Sequence, residues 1–146
     1  MGCGDEENYW KFFCFRTNDR RASAIREWVD DLDKSESKIL LSELRVLLKK
    51  LRSRRKEKWV RPDFAPITGN KKWRNLHEIR IDINKKKYRI IGCFGPGECE
   101  FTMLVPGIKI KPDFYKLNCP KAIERMSDVR TSEGRIVEFK FTGNLE

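Results

Sequence analysis

Carboxylates and arginines alternate along two neighbouring segments in the middle of the chain. Glu78, Arg80 and Asp82 occupy every second position of one segment, and Arg89 lies in the next. An arginine stays charged and binds phosphate through parallel hydrogen bonds, and a carboxylate beside it can take a proton from a ribose 2′-hydroxyl. Side chains of these types on one surface could therefore bind and cut an RNA backbone. Ordinary charge pairing between strands, worth about 0.2–1 kcal/mol per pair, explains the same pattern.

Apolar residues at every second position predict a sheet in this region. Residues 76–83 alternate as a half-buried strand does, and a turn is predicted at 84–87. Further strands are predicted at 88–94 and, after a turn at 95–98, at 99–105. Strands joined by turns this short run antiparallel.

The predicted register of these strands sorts their side chains into two faces. If both hairpins close on four-residue turns, Ile83 pairs with Tyr88 and Asp82 lies opposite Arg89. The four charged residues then share one open face with Thr102 and Leu104. The opposite, apolar face carries Ile79, Ile81, Ile83, Tyr88, Ile90, Phe94, Phe101, Met103 and Val105.

Two helices are predicted before these strands, and each has one apolar face that needs a sheet to cover. Asp33 and Glu36 lie at the start of the second helix and have the spacing of a capping box. The stripe of the first helix is Ile25, Trp28, Val29 and Leu32. The stripe of the second is Leu40, Leu44, Leu47, Leu48 and Leu51.

The order of the elements predicts the fold class. A first strand is predicted over 10–16, and a third helix opens at Pro120, a residue favoured in the first helical turn. We therefore predict an α+β fold, with a small antiparallel-rich twisted sheet and helices packed on one face. Residues 1–146 form one domain, with a core over about 10–130 and a C-terminal extension, 131–146, that could add a strand.

The charge balance favours a polyanionic partner. The chain has 32 Lys and Arg against 22 Asp and Glu, for a net charge of +10. RNA and an acidic protein both fit such a field. The densest basic run ends the second helix and precedes a connecting loop predicted at 61–70. One interpretation is that these side chains are solvated and stabilised by the helix macrodipole, which favours cations at a helix C-terminus. The other is that they contact phosphates. They are Lys49, Lys50, Arg52, Arg54, Arg55, Lys56 and Lys58.

The cysteines and the absence of a leader pattern predict a cytoplasmic protein without a metal site. The five cysteines are odd in number and form no CxxC pair, and the single histidine is His77. No apolar run reaches the roughly 18 residues that a membrane span needs. Reduced thiols are therefore expected. The cysteines are Cys3, Cys14, Cys93, Cys99 and Cys119.

Four short motifs occur in the order typical of one protein family. They are WRNLHEIR at 73–80, YRII at 88–91, GIKIK at 107–111 and a proline-led helix from 120. The chain resembles the HigB-like, phage-derived branch of the RelE superfamily. The pattern of that branch is roughly L-x-E-[IL]-R, then Y-R followed by two aliphatic residues, then G-F-x-K-K, then the proline-led helix. The likeness spans about 10–130, and it is carried by the order and spacing of the motifs.

The resemblance implies the toxin of a toxin–antitoxin pair, which cleaves mRNA, in many relatives on the ribosome, without a metal or small-molecule cofactor. A cognate antitoxin protein would neutralise it, and no membrane partner is implied. In such toxins the 2′-hydroxyl attacks the adjacent phosphate and basic residues stabilise the developing charge. Carried over by motif, Glu78 is the candidate base, and Arg80 and Arg89 bind the phosphate. The candidate RNA contacts are Lys109, Lys111, Arg74 and Lys72.

Departures from the family pattern keep two other functions open. Ile108 replaces an aromatic residue and Ile110 interrupts the basic cluster. No Tyr follows Tyr115 and no His follows His77, so the C-terminal general acid of some relatives is unassigned. One alternative is a non-catalytic RNA- or ribosome-binding module. The other is a gyrase-directed poison, which the Glu-x-Arg and Tyr-Arg motifs argue against.

Overall fold

The structure, a computed structural model, describes residues 2–5, 7–17, 23–131 and 135–141. Within these ranges the strands are β1 (Lys11–Phe15), β2 (Phe64–Pro66), β3 (His77–Ile83), β4 (Lys86–Phe94), β5 (Glu100–Ile108) and β6 (Ile136–Glu138). The helices are α1 (Ala24–Asp30), α2 (Lys34–Arg52) and α3 (Phe114–Thr131), with 3₁₀ turns at Lys56–Lys58 and Lys71–Trp73. None of these helices is both long enough and apolar enough to cross a membrane.

The predicted α+β class and the antiparallel-rich sheet are confirmed. The described strands form one sheet in the order β2-β3-β4-β5-β1-β6. Neighbouring strands run antiparallel except for β1 and β5, which are parallel. A parallel pair of strands needs a long connection between them. Two helices and three strands lie between β1 and β5 in the chain, so β5 can pair with β1 in parallel.

The first hairpin closes on a shorter turn than predicted. Asn84 and Lys85 form a two-residue turn with φ of 49° and 69°, so Arg80 lies opposite Arg89. Two residues with positive φ match the twist of the flanking strands, which a four-residue turn here would not do as well. The register moves by two positions, and because the side-chain period is also two, each side chain keeps its predicted face. Tyr88 packs inward as predicted and is buried.

The second hairpin contains an irregularity that the predicted register lacks. The pairing of β4 with β5 shifts between Ile91 and Gly92, so that Leu104 is an extra residue. A bulge of this kind turns the following residue to the other face. Val105 was predicted on the α1–α2 face and packs with Leu104 on the opposite one. A Cβ at Gly92 would lie 2.4 Å from the carbonyl oxygen of Thr102, so glycine is required there.

The first two helices cover one face of the sheet as predicted. The Asp33 side chain accepts a hydrogen bond from the Glu36 amide at 2.9 Å, which caps α2. The predicted leucine stripe of α2 is buried along its whole length. The leucine stripe of α2, together with Ile25 and Val29 of α1, packs against apolar residues of the sheet. These residues are Phe12, Ile79, Ile81, Tyr88, Ile90, Phe101 and Met103.

The third helix covers the other face, which was predicted to stay open. It begins at Phe114 and carries Pro120 inside it, so the predicted start at Pro120 is wrong. Because Phe114 and Cys119 are buried against the sheet, packing stabilises the turns upstream of the proline. Its partners on the sheet are Ile91, Cys93, Leu104 and Val105.

Two short edge strands extend the sheet. Residues 61–70, predicted as a loop, include β2, whose pairing with β3 ends at Pro66. A proline is tolerated there because β2 is an edge strand. The strand expected in the C-terminal extension is present as β6, antiparallel to β1. Residues 132–134 and 142–146 of that extension lie outside the described residues.

Two cysteines are joined, which corrects the expectation of reduced thiols. Cys3 and Cys99, 96 residues apart, form a disulfide with a Cα–Cα distance of 5.2 Å. The N-terminal segment reaches Cys99 by turning at Gly4, where a Cβ would lie 2.1 Å from the carbonyl oxygen of Arg54. Sequence spacing could not show this pair, because it depends on how the N-terminus folds back. Cys14, Cys93 and Cys119 are buried and form no disulfide among the described residues.

Candidate active site

The Glu78 carboxylate is held between a strand and a helix. Glu78 lies on β3 and is 3% exposed. Its Oε2 accepts a hydrogen bond from Arg80 Nη1 at 2.7 Å, and its Oε1 accepts one from the Tyr115 hydroxyl at 2.6 Å. A buried carboxylate is tolerated only when it is paired, and here both oxygens have donors. The side chain is therefore fixed in one orientation.

The Arg89 guanidinium lies on the neighbouring strand and is 1% exposed. Its Nη1 donates to Asp82 Oδ1 at 2.7 Å and to the backbone oxygen of Tyr88 at 2.9 Å. Its Nε is buried without a hydrogen-bond partner among the described residues. A buried unsatisfied donor costs about 1–3 kcal/mol, and more when it is charged. Arg89 Nε is therefore a buried donor that no described group uses.

A third cation, Lys109, lies just beyond β5. Its amide donates to the Lys87 carbonyl oxygen at 2.7 Å, which extends the pairing of β4 and β5. Its Nζ lies 4.9 Å from the centre of the Tyr115 ring. Burial lowers the pKa of Lys109, Glu78 opposes that shift, and the nearby Arg89 adds to it. The position of Lys109 on the sheet thus adds a third positive charge beside the carboxylate.

Tyr115 is a candidate site residue that the sequence reasoning missed. Burial, and then the hydrogen bond to Glu78, raise the pKa of Tyr115 to about 12, so the phenol is a neutral donor at neutral pH. It was overlooked because α3 was predicted to start at Pro120, which left Tyr115 in a loop. Phe114 and Cys119 were the available signal, since they continue the apolar side of α3 upstream of the proline.

The predicted site residues divide into those that the fold gathers and those that it leaves apart. Glu78, Arg80, Arg89 and Lys109 come together, and Tyr115 completes what we call the carboxylate cluster. Their face was predicted to be open, but α3 covers it in part and buries two of its members. Lys111, Lys72 and Arg74 are exposed, and no hydrogen bond or ion pair between described side chains joins them to the cluster. Chemically, the cluster can hold an anion and move protons between a carboxylate and a phenol.

His77 faces the α1–α2 side, as its position on β3 predicts. Its ring stacks on Phe64 with centroids 5.4 Å apart, and its centroid lies 5.1 Å from that of Phe94. Burial, and then the positive charge of Lys56, lower the pKa of His77. The imidazole is therefore part of an aromatic core rather than of the carboxylate cluster.

The lowered pKa of His77 predicts how stability changes with pH. The unfolded chain binds a proton at an ordinary pKa near 6.5, and the folded chain binds it only at lower pH. Stability should therefore fall as the pH drops through 6.5 towards the folded-state pKa. A His77→Phe variant, which keeps an aromatic ring between Phe64 and Phe94, should show a weaker decline. Urea unfolding of both proteins between about pH 5 and pH 8 measures the difference. Parallel curves for the two proteins would contradict this role of His77.

We compared the chain with protein-family models, curated proteins and solved structures, and found no match. The likeness to the HigB-like branch therefore depends on the motifs alone, and each functional role has to be argued from the geometry of this chain.

Proposed function

We propose that this chain is a metal-independent endoribonuclease that cleaves mRNA, the toxin of a toxin–antitoxin pair of the HigB-like RelE type. The observation that carries the proposal is the Glu78 carboxylate, bonded to Tyr115 and Arg80 and surrounded by the charges of Arg89 and Lys109. A proton acceptor, a proton donor and three cations are the groups that transfer of a phosphoryl group to a ribose hydroxyl requires.

The proposed reaction follows from these groups. Glu78 takes the proton of the 2′-hydroxyl, and the 2′-oxygen forms a bond to the adjacent phosphorus. Arg80, Arg89 and Lys109 stabilise the charge on the non-bridging oxygens. The bond to the 5′-oxygen breaks, and the leaving oxygen takes the proton of Tyr115, which leaves a 2′,3′-cyclic phosphate and a 5′-hydroxyl.

The hydrogen bond between the acid and the base returns the proton. Glu78 Oε1 lies 2.6 Å from the Tyr115 hydroxyl oxygen, so the proton taken from the ribose can pass to the phenolate. Both side chains then regain their starting states, and the reaction needs no metal to balance it. Tyr115 thereby fills the role of general acid that the family motifs leave unassigned.

The proposal includes the partners and the compartment that go with it. The mRNA would be cut on the ribosome in the cytoplasm, and a cognate antitoxin protein would neutralise the toxin. The excess of positive charge, +10, suits both partners if the antitoxin is acidic. The Cys3–Cys99 disulfide is more typical of an oxidising compartment.

The second candidate function is a non-catalytic RNA- or ribosome-binding module. It is favoured by the 3% exposure of Glu78 and by the engagement of both its oxygens, which limit how closely a ribose can approach. Such a module would bind RNA with a steep dependence on salt and leave it intact.

Transcript mapping separates the two candidates. We would induce the wild type, a Glu78→Ala/Arg89→Ala variant and a Tyr115→Phe variant, and map the 5′ ends of transcripts minutes later. The proposal predicts new ends and growth arrest with the wild type and neither with the double variant. Tyr115→Phe keeps the aromatic ring that contacts Phe114. The loss of cleavage expected for this variant would therefore result from the missing hydroxyl and not from lost packing. Intact transcripts with soluble wild-type protein would refute the nuclease and favour the binding module.

A further inference from the structure

The basic residues at the end of α2 are not needed to cap the helix. The backbone oxygen of Leu51 accepts from Trp59 Nε1 at 3.0 Å, and that of Arg52 accepts from the Trp10 amide at 3.0 Å. The backbone oxygen of Arg54 accepts from the indole nitrogens of both tryptophans at 3.1 Å. Lysine and arginine side chains near a helix C-terminus often serve these oxygens themselves. Here two indoles and a backbone amide do so, and the cations are left for another role.

Some cations of this segment have partners within the protein. Lys50 pairs with Asp63 at 2.8 Å. Lys56 Nζ lies 4.1 Å from the centre of the Phe94 ring, and Arg52 lies over the Tyr9 ring at 5.1 Å. The other cations are exposed, and no ion pair between described residues neutralises them. We call this set the α2-end surface: Lys49, Arg54, Arg55, Lys58 and Arg61.

The α2-end surface leads towards the carboxylate cluster. A cavity of about 260 Å³ lies between α2 and β3, and its lining includes Lys50, Asp63, Arg80 and Asp82. Arg80 belongs to the cluster, and Lys50 adjoins Lys49 of the α2-end surface. A strand of nucleic acid bound at Arg80 therefore has a route around the edge of β3 to the unpaired cations.

We infer that the α2-end surface binds the phosphate backbone of single-stranded RNA, as a second contact separate from the carboxylate cluster. This inference rests on the proposed function, since it extends the path of the same substrate. These five cations lie between positions 49 and 61 and have no ion pair among the described residues, so phosphates that release counterions would relieve their mutual repulsion. Tyr9, 42% exposed and in contact with Arg52, offers a ring on which a base can stack. An aromatic ring among cations favours RNA over an acidic polypeptide.

The test measures binding of wild-type protein to an uncleavable probe, a 2′-O-methyl RNA oligonucleotide, as a function of salt. In the variant Lys49→Gln/Arg54→Gln/Arg55→Gln/Lys58→Gln, the slope of log K against log salt should be shallower by about 3, since each lost contact to single-stranded RNA removes about 0.7. Affinity at about 50 mM salt should fall at least about tenfold. An unchanged slope would overturn the inference.

A matched control removes the same number of charges elsewhere. Lys34, Lys38, Lys121 and Arg130 are exposed, and their replacement by glutamine should change the slope by less than about 1. Equal effects of the two variants would show a response to net charge alone and overturn the α2-end surface as a site. If poly-glutamate competes for binding as well as RNA does at equal charge, the surface binds an acidic partner, and the inference of an RNA site is overturned.

Folding and cleavage are controlled separately. The side chains replaced in both variants are exposed, so circular dichroism melting curves should match the wild type. If the quadruple variant does not fold, Arg54→Gln/Arg55→Gln should show about half the change in slope. If the variant has a shallower salt slope but the wild type leaves transcripts intact in cells, the nuclease is refuted and the RNA-binding surface is supported. If the wild type cleaves transcripts and the variant has an unchanged salt slope, the nuclease is supported and the surface is refuted.

Discussion

A Glu78→Gln variant is expected to cleave RNA about 10²–10⁴-fold more slowly than the wild type, the usual contribution of a general base. Glutamine has the shape of glutamate, and its amide oxygen can still accept from Tyr115, but it cannot take the 2′-hydroxyl proton. Single-turnover cleavage of a labelled RNA with enzyme in excess measures the chemical step without product release. Thermal unfolding of the same preparation checks that the fold is retained.

Asp82 provides the matched control for this experiment. Its carboxylate pairs with Arg89 at 2.7 Å, as Glu78 pairs with Arg80, but its side chain is 59% exposed. Asp82→Asn removes a charge on the same strand and should slow cleavage less than about tenfold, as loss of an exposed pairing interaction does. If Glu78→Gln cleaves at the wild-type rate, Glu78 is not the base and the proposed reaction is wrong.

A Trp59→Ala variant is expected to lose about 3–5 kcal/mol of unfolding free energy, the usual cost of truncating a buried aromatic side chain. Trp59 is 4% exposed. Its ring centroid lies 4.9 Å from that of Trp10, 5.2 Å from that of Phe64 and 5.6 Å from that of Phe12. The deletion would leave a cavity between α2 and the sheet. Urea unfolding at constant pH measures the change, with equal slopes required for a valid comparison.

Trp59→Phe separates packing from hydrogen bonding at the same position. Phenylalanine keeps most of the ring contacts and loses the indole donor to the backbone oxygens of Leu51 and Arg54, at 3.0 and 3.1 Å. Each oxygen keeps a second donor, the Arg54 amide for Leu51 and the Trp10 indole for Arg54. A hydrogen bond contributes about 0.5–1.5 kcal/mol net, so Trp59→Phe should lie between the wild type and Trp59→Ala. A loss below about 1 kcal/mol for the alanine variant would contradict the place of Trp59 in the core.

Local patterns predicted much of this fold because the forces behind them are local. The leucines of α2 are buried as their spacing indicates, and Asp33 caps that helix. Glu78 and Arg80 meet because they are two residues apart on one strand, and their common face was predicted despite the wrong turn length. A register error of two residues leaves each side chain on its predicted face. The bulge at Leu104, opposite Ile91 and Gly92, instead moves Val105 to the other face.

Features that depend on distant parts of the chain could not be predicted in this way. Tyr115 reaches Glu78 only because α3 packs on the second face of the sheet, and no periodicity states which face a helix covers. The parallel pairing of β1 with β5 and the bond between Cys3 and Cys99 likewise join segments far apart in sequence. The candidate site was therefore predicted along its strands and missed at its helix.

The position of β1 inside the sheet determines when a newly made chain can complete that sheet. Translation delivers β1 first, yet its neighbours are β5, where Lys11 lies opposite Glu100, and β6, which is made last. Until then the apolar strand has no sheet to join, and unpaired strands of this kind invite chaperones or aggregation. Tyr115 also leaves the ribosome after β5. A nascent chain thus holds an incomplete carboxylate cluster until α3 has emerged, and under the proposed function the ribosome that makes it would be spared up to that point.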